Sequence, residues 1–202
     1  MTAVGLRVKS GYAIAVVLDG SRQTPRPVAS RIIELSDPAV AETRQPYHDG
    51  FYKTEENVRE IARRVAIVKR CAKKSVAALL ETLRLARPEP VEGRARSGQA
   101  AVRGALVVGS LIDPATIPNP HIRAHAHEGQ LFRTVLEESL AAHAVDCDVI
   151  VDKQLASQAA KELGRPARAV AQTVASFGKT LGGRWRAEEK AAATAAWLAL
   201  RG

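Results

Sequence analysis

Apolar runs at Val4–Lys9, Tyr12–Leu18 and Pro27–Leu35 are punctuated by Ser10-Gly11 and Asp19-Gly20. Glycine accepts positive φ in tight turns, and Val and Ile fill pleated surfaces, so the pattern predicts three antiparallel strands in a meander. The period then changes. Val58, Ile61, Ala62, Val65, Val68, Ala72, Val76, Leu79, Leu80 and Leu83 recur at steps of three and four, the mark of an amphipathic helix. Thr54 is the expected N-cap, Glu55 and Glu56 sit at the positive end of the dipole, and Pro88 is the stop.

Residues 87–98, reading RPEPVEGRARSG, offer almost nothing to bury. They resemble translated palindromic-repeat insertions, and they are expected to form a flexible loop without function. Ala105–Leu111 is nearly unbroken apolar sequence, as in a parallel strand buried on both faces. A helix is expected from about His121 to Ala144, a last strand at Cys147–Val151, and helices near Ala156–Leu163, Ala167–Leu181 and Trp185–Leu200. The element order requires one mixed α/β sheet of five strands, three antiparallel and then helix-connected parallel ones, flanked by helices. The chain, residues 1–202, is expected to be a single domain.

Charge narrows the partners. Thirty basic against 21 acidic residues give +9, which favours polyanions and leaves the substrate open. Cys71 and Cys147 are too few for a disulfide framework and are expected to be buried apolar side chains in a reducing, cytoplasmic setting. The early apolar run is too short to span a bilayer, so no membrane partner is expected.

The element order resembles the ribonuclease H-like superfamily and, within it, RuvC-type resolvases. GLRVKSGYAIAVVLDG is similar to that family's opening hairpin, ALVVGSLID to its fourth strand and EEKAAATAAWLAL to its closing helix. The resemblance implies a nuclease with two divalent ions, Mg²⁺ or Mn²⁺, held by three or four carboxylates, the first on strand one. Here that strand offers Arg7, Lys9 and Ser10 instead, and a cation repels Mg²⁺. Asp113, Asp152, Glu188 and Glu189 are the remaining acids that could act in catalysis. The actin and sugar-kinase ATPases share a related core, but the chain has neither their acidic hairpin nor a second copy of it, nor a P-loop.

Histidines supply a second candidate. His48 follows strand three, and His121, His125 and His127 follow strand four, so the proposed topology brings both connections to the carboxyl edge of the sheet, where open α/β sheets bind ligands. His121, His125 and Glu128 share a helix face at i, i+4, i+7, and two imidazoles with a carboxylate could hold a transition metal. His125 could equally serve as a general acid or base, and Arg123 could clamp phosphate at the helix start.

A third candidate is cationic. Arg59, Arg63, Arg70, Lys73 and Lys74 fall within an arc of about 100° on the first helix, beside its apolar face. Such a ridge attaches to phosphates without reading sequence. Arg184 and Arg186 flank Trp185, which can stack on a base or pack as a lid over the sheet. Three functions stay open. The leading one is a nucleic-acid-binding protein, for DNA or RNA, whose nuclease site is degenerate. The others are an active metal-dependent phosphodiester hydrolase and a non-enzymatic protein-interaction module. A homodimer is compatible with each.

Overall fold

The computed structural model describes residues 1–50, 53–85 and 102–200, so the repeat-like segment 87–98 lies outside the described residues. Strands β1 (Thr2–Lys9), β2 (Tyr12–Gly20) and β3 (Pro25–Glu34) form the meander, with Gly11 at φ 83° in the first turn. Helix α1 (Val58–Leu85) leads across to β4 (Val102–Val108), and α2 (Pro120–Ala141) to β5 (Cys147–Val151). Helices α3 (Asp152–Leu163), α4 (Ala167–Leu181) and α5 (Ala187–Ala199) follow. Among the described residues the sheet has five strands in the order β3-β2-β1-β4-β5, β1 pairing antiparallel to β2 and parallel to β4. The expected mixed α/β sheet is therefore present, and β1, β3, β4 and β5 end at one edge.

Alternation along the strands divides the interior into two cores. Val4, Leu6 and Val8 of β1 face α1 and α2 with Val68, Val76, Leu79, Phe132 and Leu136. Ala3, Ile14, Val16, Leu18 and Val107 face the other layer, with Val174, Phe177, Trp197 and the alanines of α5. Those alanines let α5 lie directly on the sheet. A Cβ placed on Gly5 would stand 1.9 Å from the Ala192 carbonyl oxygen, so β1 needs glycine where the helix crosses it.

Several boundaries differ from the sequence reading. The α1 cap is Asn57, whose Oδ1 accepts from Arg59 N–H at 3.0 Å, because Thr54 is drawn into an isolated bridge with His48. β4 runs from Val102 and stops at Val108, since its partner β1 begins at Thr2 and is matched only to Arg7. The chain from Gly109 onward leaves the sheet, exposing Leu111 and Ile112. Asp19-Gly20 belongs to β2, the reversal being made by residues 21–24. Helix α3 opens at Asp152, immediately after β5, and not near Ala156. Both cysteines are only half-buried.

Candidate functional site

The carboxyl edge of the sheet is closed by a run of ion pairs. Arg7, at the end of β1, donates through Nη2 to Asp152 Oδ2 at 2.8 Å, and Lys9 Nζ lies 3.8 Å from Glu188 Oε1. A cleft of about 300 Å³ opens there, lined by Arg7, Lys9, Ser10, Ser110, His125 and Arg133. Glu189 does not face it as a free acid. The side chain is buried, and its Oε2 accepts from Arg186 N–H at 2.8 Å, capping α5. Asp113 caps the short 3₁₀ turn at Pro114–Thr116 by accepting from Ala115 N–H at 3.0 Å.

Beside the cleft the structure gathers a histidine cluster from two distant segments. The connection between β3 and α1 delivers His48, and the first turns of α2 deliver His121, His125 and Glu128. Asn119 caps α2 through Ile122 N–H at 3.1 Å, which fixes the direction in which these side chains leave the helix. The connection is held by Arg64, the one cation of its run turned inward. Its guanidinium donates to His48 O at 2.9 Å, to Pro46 O at 3.4 Å and to Glu55 Oε2 at 2.8 Å. Tyr47 stacks on His127 with centroids 5.0 Å apart and walls the cluster.

Glu128 is the hub. Only 1% exposed, it is hydrogen-bonded to His48 Nδ1 at 2.7 Å and to His125 Nδ1 at 3.3 Å, and takes a backbone hydrogen bond from Tyr47. Burial pushes its carboxyl up to about 7, against the opposing pull of His125 and the Tyr47 N–H. Burial likewise lowers His48 and raises the Tyr47 phenol, the latter helped by the Glu128 charge. The rings of His48, His121 and His125 lie 4.4–5.0 Å apart by centroid, and one nitrogen from each falls within 4.8 Å of the others. Among the described residues this is the metal-competent group, and the four acids form none.

Helical spacing alone places His121, His125 and Glu128 together, and the fold adds His48, whose approach depends on Arg64 and the long connection. The signal was present only as a histidine in PYHDGFYK expected at the same edge. Arg123 is partly buried and donates to Ile117 O at 3.3 Å, so it ties down the entry to α2. Trp185 packs against Gly178, whose added Cβ would meet the indole at 2.3 Å, and its Nε1 donates to Val174 O at 3.0 Å. Arg184 and Arg186 are exposed and line a separate hollow with Tyr12, Arg44 and Glu188. On α1, Arg59, Arg63, Arg70, Lys73 and Lys74 are all exposed.

No family model and no curated protein matches this chain in sequence. Among solved structures, Thermus thermophilus RuvC superposes with a TM-score of 0.53 at 13% identity, covering 98% of this chain and 92% of that one. The fold is ribonuclease H-like, of the RuvC type. T. thermophilus RuvC in complex with Holliday junction substrate gives 0.49 at 14% identity, covering 98% and 91%. An Aquifex aeolicus PPX-GPPA enzyme gives 0.35 at 11% identity, covering 81% and 41%.

The two-ion centre that the RuvC resemblance implies does not fit the donors on this RuvC-like sheet. Its strand-one position carries Arg7 and Lys9, Arg7 donating to Asp152 Oδ2 at 2.8 Å and Lys9 Nζ lying 3.8 Å from Glu188 Oε1, so positive charge stands beside the acids that would have to hold divalent ions. No catalytic step through such a centre follows from these residues.

Proposed function

We propose that this RuvC-like protein binds nucleic acid through its phosphate backbone, using the cationic ridge of α1, without RuvC-type cleavage. The observation that carries the reading is that ridge. Arg59, Arg63, Arg70, Lys73 and Lys74 project from one exposed side of a 28-residue helix. Glu60 pairs with Arg63 at 2.9 Å, whereas Arg59, Arg70, Lys73 and Lys74 have no ion pair among the described residues. The opposite side is anchored by Val68, Ala72, Val76 and Leu79 in the core, so the cations are presented on a rigid support. Five side chains distributed along about four turns of the helix span several phosphates and read no base edges, which gives attachment governed by counterion release. The charge of +9 acts in the same direction by steering polyanions toward the protein.

Binding of duplex DNA, branched DNA and structured RNA measured across a salt series tests this. Log affinity is expected to fall linearly with log salt. The triple variant Arg70→Glu, Lys73→Glu, Lys74→Glu should flatten the slope by about 2 to 3 units while the fold is retained. Undetectable binding at about 50 mM salt, or an unchanged slope in the variant, sinks the reading. Cleavage with Mg²⁺ or Mn²⁺ that disappears in Asp152→Asn or Glu188→Gln would establish the hydrolase alternative instead.

A further inference from the structure

We propose that His48, His121 and His125 form a binding site for one transition-metal ion of the zinc class, with Glu128 as the carboxylate that orients two of the ligands. This proposal does not rest on nucleic-acid binding, since it involves none of the α1 ridge.

Three independent features converge. His48 is 4% exposed, yet among the described residues its Nε2 has no hydrogen-bond partner. A buried polar atom left in that condition is costly, and a native structure normally supplies something for it to hold. Its other nitrogen is already committed. With Nδ1–H donated to Glu128 Oε1 at 2.7 Å, the lone pair resides on Nε2, and a neutral imidazole in this tautomer is a metal ligand. Glu128 treats His125 in the same way through its second oxygen, at 3.3 Å. One buried carboxylate therefore sets the tautomer of two imidazoles, the carboxylate–histidine arrangement that orients ligands around metals.

The spacing suits an ion. One nitrogen from each ring already lies within 4.8 Å of the others, and a tetrahedral ion with nitrogen bonds of about 2.0–2.1 Å would draw them to about 3.4 Å. His121 and His125 leave one helix at i and i+4. His125 is 48% exposed and so has room to rotate inward. An all-imidazole donor set selects zinc-like ions over Mg²⁺, which prefers oxygen. Three protein ligands leave a fourth position for water or an anion. His125 also lines the cleft of Arg7, Lys9 and Arg133, so that position adjoins cationic groups suited to a phosphate oxygen.

The test uses the untagged full chain, stripped with a chelator and titrated with Zn²⁺, Co²⁺ and Mg²⁺ separately. One equivalent of Zn²⁺ should bind, Co²⁺ should show the visible bands of a tetrahedral nitrogen-ligated ion, and Mg²⁺ should not compete. His48→Ala and His125→Ala should abolish stoichiometric binding, Glu128→Gln should weaken it about 10- to 100-fold, and His143→Ala, away from the cluster, should leave it unchanged. Because His48 and Glu128 are buried, circular dichroism accompanies each variant, and exposed His125→Ala keeps the test decisive if those two misfold. Substoichiometric Zn²⁺ in the wild type, or Zn²⁺ affinity unaltered in folded His125→Ala, overturns the proposal. Loss of the site with nucleic-acid binding intact would separate it from the α1 reading.

Discussion

At the scale of single residues, chemistry here depends on which cations face inward. Arg64 lies in a run of basic residues but is buried, holding two carbonyls and Glu55. Removing a buried cation leaves its partners unpaired, so Arg64→Met is expected to cost about 3 kcal/mol in urea unfolding. Arg63→Ala, one position away and exposed, should change stability by no more than about 0.5 kcal/mol. Cys147 gives a second residue-scale prediction. Burial, with Glu137 and Asp148 adding to it, pushes its thiol up to about 12 from an ordinary 9.0. The folded chain therefore keeps the proton where the unfolded chain has lost it. Alkylation at pH 9 should be far slower for native Cys147 than in urea, as followed by mass spectrometry of the labelled peptide. Because folded pKa exceeds unfolded, this residue's contribution to stability is complete below about pH 9 and declines as pH rises toward 12. Equal labelling rates in the two states would contradict it.

At the scale of elements, periodicity and caps explain most of what forms, and partner strands explain the rest. The three- and four-residue recurrence of α1 was plain in the chain because one helix face needs only local spacing to become apolar. Its start was not. Thr54 and Asn57 are both good caps, and the choice of Asn57 follows from the bridge between Thr54 and His48, a contact made by folding. β4 shows the same limit. Ala105–Leu111 is uniformly apolar, yet the strand ends at Val108 because hydrogen bonding requires a neighbour. The approach of α5 to β1 yields a sharp expectation. Gly5→Ala should displace the helix and cost about 3 kcal/mol or prevent folding, since the added carbon meets backbone that cannot swing aside. Gly178→Ala should lift Trp185 from α4, and its fluorescence should shift to longer wavelength as the indole becomes hydrated.

For the whole molecule, the mixed sheet and its two helical layers give the chain a RuvC-like fold while the edge chemistry departs from what that resemblance implies. Arg7–Asp152 and Lys9–Glu188 stand where carboxylates would cooperate, and the histidine cluster lies beside them. The Lys9 pair is more than a third exposed on both sides, so Lys9→Ala should alter stability by less than about 1 kcal/mol.

The succession of strands and helices, the approximate helix positions and the cationic arc of α1 were legible in the amino-acid sequence, because each depends on spacing along one segment. Convergence was not legible. His48 and Glu128 are 80 residues apart, and their 2.7 Å contact exists only because the meander, α1 and α2 close around one core. The pairing of Arg7 with Asp152 spans 145 residues and arises where β1 ends beside the start of α3. Local pattern determines which faces seek burial. The distance between two side chains is decided when those faces are packed, and the site is made of such distances.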